Sequence, residues 1–468
     1  NPNIFKAYDI RGKYPEEFNE EAAYKIARAS ALFLGAKRIA VAMDNRSSSE
    51  SLKKAVIDGL LAEGIEVVDC GVSTTPMFYF AVNSQNTDGG IMVTASHNPP
   101  QYNGLKITEK RAKPIGQDSG LLEIKEVVLN KDFERGDLPK GKIIENGNPR
   151  TQRAEQSPYD GNPRTQRAEQ SPYDGHLQAY ADFLVKGREF PVARVVVDVG
   201  CGPAGEIVRE VGKRASIEIS ELCFPPCSSF AHEANPLKDE NVVDLQKAII
   251  EKNADFGVAF DGDGDRVFFF DSKGERVPTY AVASLLASEF LKKNKGATVI
   301  SDVRMPKAFS ETIQASGGKV IQSRVGHAFI KKLLRENDAV FGAEVSGHYY
   351  FRDFFGVDSG MYAFVKIMDI MAKSGKSLVD LTKPFLARFQ SGELDFKVAD
   401  KESAISKLEN IFVDGKISKP DGLTVEYSDW WFNVRPSNTE PLLRVNIEAD
   451  SKDILSEAKE KIEKSLKS

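Results

Sequence analysis

No excess of charge of either sign marks this chain: 63 basic residues stand against 68 acidic ones, a net charge of −5. Without a basic surplus there is no electrostatic footprint for nucleic acid or an anionic membrane, and neither is expected as a partner. Any anionic ligand must then be held by a local cluster of positive side chains. Cysteine is scarce too. Cys70, Cys201, Cys223 and Cys227 show neither zinc-site nor disulfide-framework spacing. Cys223 and Cys227 flank a Pro-Pro turn, which alone is weak ground for a metal, and reduced thiols in a cytoplasmic protein are expected. No apolar run is long enough to span a bilayer, and the first residues carry no signal-peptide apolar segment. What remains is ordinary globular composition, 41% apolar and 28% charged. The 468 residues call for about three or four domains rather than one core.

The most informative stretch is Thr94-Ala95-Ser96-His97-Asn98-Pro99-Pro100, continued by Tyr102-Asn103-Gly104-Leu105-Lys106. It follows Gly89–Val93, an apolar run that reads as a buried strand. A Ser-His pair just past a strand end, closed by Asn-Pro-Pro, reads as a turn that presents a hydroxyl to solvent. Far downstream, an expected strand Phe256–Phe260 leads into Asp261-Gly262-Asp263-Gly264-Asp265-Arg266. Three carboxylates in six residues repel one another without a cation and suit one hard divalent ion. An EF-hand is excluded, because its loop needs glycine sixth and Glu twelfth where this chain has Arg266 and Ser272. An aspartyl-phosphatase loop would want Thr or Val at Asp265. A purely structural acidic turn is the competing reading. If a cation bound there also touches Ser96, phosphate on that serine would complete its coordination.

These two loops resemble those of the alpha-D-phosphohexomutases, whose T-[AG]-S-H-N-P and D-G-D-G-D-R segments are both present without a mismatch. Two later segments, in the family's order, extend the resemblance over nearly the whole chain. Gly342-Ala343-Glu344-Val345-Ser346-Gly347-His348 is similar to the family's sugar-binding G-E-x-S-G-H loop, with Ala343 as a small departure. Arg435-Pro436-Ser437-Asn438-Thr439-Glu440-Pro441 follows an expected strand Trp431–Val434. Its guanidinium, hydroxyls, amide and backbone N–H groups make a compact phosphate cradle. It resembles the family's phosphate loop R-x-S-N-T-x-P. Asn438 stands where phosphoglucosamine mutases usually show glycine, which favours the phosphomannomutase/phosphoglucomutase branch and leaves phosphoglucosamine mutase as the alternative.

The resemblance implies a four-domain α/β protein. Three similar α/β domains with mixed sheets and a smaller α+β C-terminal domain would surround a central cleft and each give it one loop. The expected boundaries are 1–146 for the phosphoserine-loop domain, 176–273 for the metal-binding domain, 274–388 for the sugar-binding domain and 389–468 for the phosphate-binding domain. The implied reaction is reversible phosphoryl transfer between O1 and O6 of a hexose phosphate (mannose and/or glucose). It would run through phosphorylated Ser96 and a hexose 1,6-bisphosphate that serves as intermediate and activator. Mg²⁺ would sit on Ser96, Asp261, Asp263 and Asp265. Arg11, in Ala7-Tyr8-Asp9-Ile10-Arg11-Gly12, would face phosphate together with Lys106 and Arg266, and His97 would stand beside the serine. Lys106, His97 and His327 are all candidates for acid–base work, and the sequence does not choose among them. Glu344, Ser346 and His348 belong to the sugar loop, and Arg304 and His327 join them as substrate contacts. Family members often show lysine near Arg304, and arginine grips phosphate bidentately where lysine is a point charge. Arg435, Ser437, Asn438 and Thr439 would hold the phosphate that does not react. The partners implied are small-molecule hexose phosphates, and the assembly a monomer or dimer in the cytoplasm.

Local patterns add detail. Apolar residues at Ala23, Ile26, Ala27, Ala31 and Leu34 predict a helix over Glu20–Leu34. Strand Arg38–Ala42, helix Ser48–Glu63 and strand Glu66–Cys70 follow, a βαβ alternation that predicts a mostly parallel sheet. Ala193–Val199 reads as a strand that enters Gly200-Cys201-Gly202-Pro203-Ala204-Gly205. This G-x-G-x-x-G match could bind a dinucleotide or S-adenosylmethionine. The resemblance supplies a structural alternative, in which the glycines permit a tight turn and close helix packing. Strands Ala297–Asp302 and Lys319–Gln322 and a terminal helix Lys452–Leu466 complete the pattern. Residues 147–175 are set apart as a linker, because Gly147–Asp160 recurs unchanged as Gly161–Asp174. Two identical polar copies do not make a solenoid, and an exposed loop is expected.

Overall fold

The computed structural model describes residues 1–133, 141–145, 148–149, 174–225, 232–398, 400–437 and 442–467. The duplicated segment therefore falls almost entirely outside the described residues, as do Cys227, Asn438 and Thr439. The chain forms two compact units, Asn1–Arg276 with Asp353–Gly375, and Val277–Arg352 with Lys376–Ser468.

The first unit opens with a sheet in the order Ile10–Lys13, Tyr102–Glu109, Gly89–Val93, Arg38–Met43, Glu66–Val72, Lys142–Glu145, Asn148–Pro149, and Lys113–Pro114 pairs with Tyr102–Glu109. Arg38–Met43 runs parallel to both of its neighbours, whereas Tyr102–Glu109 is antiparallel to all three of its own. The βαβ rule thus holds in the middle of the sheet and fails at its edges. The chain returns from Gly89–Val93 directly through the serine loop, too short a path for a parallel crossover. Helix Glu20–Leu34 forms where its signals place it. Asn19 accepts from the Ala22 N–H, Glu20 and Glu21 occupy the first turn, and Gly35 closes the end in the left-handed region. Its apolar face joins Ile39, Val41, Ile91 and Leu105 in one buried cluster.

A second sheet in the same unit is ordered Glu218–Leu222, Arg194–Asp198, Phe256–Phe260, Val267–Phe270, with only the last strand antiparallel to its neighbour. Helix Gly360–Ser374, distant in sequence, packs on it through Phe364, whose ring lies 6.4 Å from Phe256 and 6.3 Å from Phe260.

In the second unit, Lys319–Ser323, Thr298–Asp302 and Phe341–Ala343 are parallel, and Tyr349–Phe351 is antiparallel to the last of them. The C-terminal sheet runs Phe389–Lys397, Leu442–Ala449, Trp430–Pro436, Leu423–Glu426, Lys416–Ser418 and is antiparallel throughout. Helices Lys401–Ile411 and Lys452–Lys467 cover a core of Leu408, Phe432, Val445 and Ile462.

One rule links the sheets. Each chemically notable loop connects two antiparallel neighbours: 94–101, 261–266, 344–348 and 437–441. Among the described residues no helix is long and apolar enough to cross a membrane. Cys70 is a buried free thiol, and burial pushes its pKa well up. Cys201 is disulfide-bonded, which corrects the expectation that every cysteine is reduced. Its N–H donates to the carbonyl of Cys223, itself a free thiol, at 2.6 Å.

Candidate active site

Ser96 sits at φ +53°, in the left-handed region that a side chain occupies at a cost of about 1–3 kcal/mol. The surrounding bonds over-determine it. Its N–H donates to Thr94 Oγ1 at 2.9 Å, and that hydroxyl donates to Asp44 Oδ2 at 2.7 Å. Arg46 clasps the whole loop. Its Nε donates to Asp44 Oδ2 at 3.0 Å, Nη2 to the carbonyls of Ser96 (2.6 Å) and Asn98 (2.8 Å), and Nη1 to those of Pro99 (2.9 Å) and Tyr102 (3.2 Å). Sequence reasoning missed Asp44 and Arg46. The available signal was a cluster of polar residues just past the carboxyl end of a central strand, where open α/β sheets place their sites.

Ser96 is only 4% exposed, so its hydroxyl is not presented to solvent as the turn pattern predicts. The acidic loop covers it. Gly262 packs so closely that a Cβ there would lie 2.6 Å from the Ser96 carbonyl oxygen. The Ser96 hydroxyl lies 3.2 Å from His97 Nδ1 and 3.4 Å from Asp261 Oδ2.

Acidic and basic groups interlock around that hydroxyl. Lys106 Nζ donates to Asp263 Oδ2 at 2.6 Å and to Asp265 Oδ2 at 2.7 Å. Thr75 Oγ1 donates to Asp263, and Arg266 Nε to Asp261 Oδ2 at 2.8 Å. Arg11 donates to Asp9, to Asn98 Oδ1 at 2.6 Å and to the Ala95 carbonyl, which brings it to the serine loop. Burial, reinforced by Asp265 and Asp263 and opposed by Arg266, pushes the Asp261 carboxyl up to about 7. Burial works against the Lys106 ammonium too, yet Asp263 and Asp265 hold its pKa well above the ordinary lysine value. The three carboxylates place ligand atoms within 4.8 Å of one another. Asp263 Oδ1 is buried with no hydrogen-bond partner among the described residues. A buried orphan acceptor costs about 1–3 kcal/mol. An all-oxygen donor set with such an orphan fits a hard divalent cation.

The second unit holds its own polar centre. Glu344 Oε2 accepts from the Tyr350 hydroxyl at 2.7 Å and lies 2.9 Å from His348 Nδ1; Oε1 accepts from the Gly326 N–H at 3.1 Å. Burial would raise this carboxyl, but His348, Arg304 and Tyr350 hold it far below the usual range. Ser346 Oγ lies 3.0 Å from His348 Nδ1. Arg304 pairs with Asp302 at 2.7 Å and comes within 4.0 Å of Glu344. His327, the first residue of its helix, has Nδ1 3.5 Å from Lys331 Nζ one turn on. Arg435 pairs with Glu393 at 2.9 Å, while Arg444 and Arg304 approach the same carboxylate at 3.2 and 3.9 Å. Sequence reasoning missed Glu393, which gathers the three guanidiniums. Ser437 donates its N–H to the Leu442 carbonyl and accepts Lys401 Nζ on its own carbonyl at 2.8 Å.

The glycine-rich turn has a different role from a nucleotide fingerprint. A Cβ on Gly202 would lie 2.7 Å from the Gly262 carbonyl, and one on Gly205 would lie 2.8 Å from Pro225. Protein, not ligand, fills the close approach that these glycines permit.

Models of the phosphoglucomutase/phosphomannomutase alpha/beta/alpha domains I, II and III match residues 2–135, 176–274 and 278–389. The model of that family's C-terminal domain matches residues 393–465. A phosphomannomutase of Salmonella montevideo is 38% identical over 470 residues, covering 98% of each chain. A protein of Xanthomonas campestris pv. campestris named phosphohexose mutases is 37% identical over 95% of this chain and 94% of its own. The crystal structure of a phosphoglucomutase/phosphomannomutase family protein from Burkholderia thailandensis superposes with a TM-score of 0.86 at 30% identity, covering 100% of this chain and 97% of that one.

Proposed function

Because the chain belongs to the phosphoglucomutase/phosphomannomutase family and is thus a phosphohexose mutase, we propose that it moves phosphate between O1 and O6 of mannose and glucose phosphates through a phosphoserine at Ser96. The observation that carries this reading is the strained, clasped Ser96 whose hydroxyl faces Asp261. A fixed nucleophile saves the orientational entropy that a mobile one would lose at every turnover.

In the proposed cycle a sugar hydroxyl attacks the phosphorus on Ser96. The new P–O bond forms as the bond to Oγ breaks, and the product is a hexose 1,6-bisphosphate. The sugar's hydroxyl proton leaves to a base, and the departing serine oxygen takes one up. In the second half the other phosphate of the bisphosphate passes back to Ser96. His97 Nδ1, 3.2 Å from Oγ, suits the proton exchange at the serine. Lys106, which donates to Asp263 and Asp265, would bring positive charge to the group in transfer. Arg11 and Arg266 add to that charge. Asp261, Asp263 and Asp265, together with the serine phosphate, would hold Mg²⁺, which when bound neutralises charge on the group in transfer. Glu344, Ser346 and His348 would take sugar hydroxyls, with Arg304 and His327 beside them, and Arg435 and Ser437 the phosphate that does not react.

The test is intact mass before and after glucose 1,6-bisphosphate, on the wild type and on Ser96→Ala. Gain of one phosphate by the wild type alone supports the reading. The folded variant should lose at least ~10³-fold in turnover, about 4 kcal/mol of transition-state stabilisation. Retention of a tenth of wild-type turnover would point to another nucleophile or to direct transfer.

A further inference from the structure

One donor cluster lies outside that site. Asp198 ends the strand Arg194–Asp198, Cys223 follows the strand Glu218–Leu222, and His232 comes from the segment before Asn235. These three residues offer an oxygen, a sulfur and a nitrogen within 4.8 Å of one another. His232 Nε2 is 3.0 Å from Asp198 Oδ2, and its Nδ1 is 2.9 Å from the Glu233 carbonyl. Asp198 Oδ1 accepts the Gly200 N–H at 2.8 Å. Thus the imidazole and the carboxylate are each anchored through the far atom and turn the near one toward Cys223, the arrangement that orients ligands in protein metal sites. Cys223 is a free thiol. His232 also lines a cavity of about 280 Å³ with Asn45, Asn98, Pro99 and Ala234, which opens one side of the imidazole.

We propose that Asp198, Cys223 and His232 form a second metal site, selective for a borderline-soft divalent cation such as Zn²⁺. Thiolate and imidazole suit such an ion, whereas Mg²⁺ prefers oxygen alone. The ion replaces the proton between His232 and Asp198 and the thiol proton of Cys223, and both protons leave to solvent. It ties together three segments behind the acidic loop, because Gly202 packs on the Gly262 carbonyl and Gly262 on Ser96.

Cobalt titration of the full-length enzyme, in Mg²⁺ and without reductant, tests the site. One equivalent of Co²⁺ should give a thiolate-to-cobalt charge-transfer band that Zn²⁺ abolishes. Cys223→Ser should remove the band, and His232→Gln should weaken cobalt binding at least tenfold. Asp263→Asn, in the acidic loop, should keep the band intact. No charge-transfer band in the wild type, or a band unchanged in Cys223→Ser, overturns the proposal.

Discussion

Two arginines divide the labour of the molecule. Arg46, in the first unit, gives its guanidinium to five acceptors, four of them backbone carbonyls: three in the serine loop and that of Tyr102, where the next strand begins. A guanidinium has five N–H donors, so nothing is left over for a ligand. Arg435, in the second unit, pairs with Glu393, yet its buried Nε has no partner among the described residues. The saturated arginine fixes a backbone. The unsaturated one, next to a carboxylate that already serves Arg444, has donors that an anion can take. On the proposed function, chemistry at the Ser96 hydroxyl needs one fixed atom, whereas recognition of phosphate at Arg435 needs charge that can change partners.

The sharpest way to break this contrast is Arg46→Met. It should cost about 3–5 kcal/mol of stability, because it leaves Asp44 as a buried, uncompensated charge. In the folded fraction kcat should fall ~10²-fold with KM little changed, since the serine loop is mispositioned while the substrate-holding groups are intact. Urea titration and steady-state kinetics measure the two effects separately. A raised KM with kcat preserved would mean that Arg46 contacts substrate after all. Arg435→Ala should show the opposite balance, with little loss of stability and a fall in kcat/KM of roughly 10²-fold shared between kcat and KM. Binding energy remote from the reacting centre is used to position it. A change in KM alone would contradict that role.

The same pair shows what a sequence discloses. Contiguous features were legible. Helix Glu20–Leu34 carries its cap, its acidic first turn and its terminal glycine in one stretch, and the strand Phe256–Phe260 is bounded as its apolar run implies. The loops that bear Ser96, Asp261 and Glu344, and the strand end that bears Arg435, are likewise short local segments. What acts across the chain was hidden. Arg46 is 50 residues from Ser96, and Glu393 is 42 from Arg435; the polar run after the strand Arg38–Met43 marks a place for a site, but not which loop its arginine holds. The burial of Ser96 was misread for the same reason, since a polar turn looks exposed until a second loop covers it. Helix Gly360–Ser374 shows on its face that it is buried, through Met361, Phe364, Ile367 and Met368, but not that it packs on the sheet of residues 194–270.

A smaller effect concerns the sugar. Glucose and mannose phosphates differ only at C2, whereas the centre around Glu344 is a carboxylate fixed by His348, Tyr350 and Gly326. If it grips hydroxyls that the two sugars share, it has little means of rejecting the epimer. Glucose 1-phosphate and mannose 1-phosphate should then both be converted, with kcat/KM values within about two orders of magnitude, roughly 3 kcal/mol of discrimination. Glu344→Ala should impair both alike. Loss of only one activity would assign the reading of C2 to Glu344.

The smallest effect is expected where the contrast should not reach at all. The repeated copy Gly161–Asp174 follows the strand Asn148–Pro149 and ends on the first residue of the helix Asp174–Val185, which Asp160 of the first copy would replace on deletion. Its composition is polar, with Pro, Gln and Arg and no apolar period, so it can bury little surface. Shortening a long connection alters closure entropy by only about 0.6 kcal/mol per halving. The clasp on Ser96 draws on Asp44, Thr94 and Arg46, all from the first sheet and its loops, and none of these bonds involves the repeat. Removal of Gly161–Asp174 should therefore leave the melting temperature within about 2 °C and kcat within twofold, by the usual scaling of small free-energy changes in a chain of this length. Thermal unfolding and steady-state assays of the deletion variant decide it. A large drop in melting temperature with kcat preserved would show that the second copy packs on the body. A fall in kcat at unchanged melting temperature would show that the rigidity of the serine loop extends beyond the residues that clasp it.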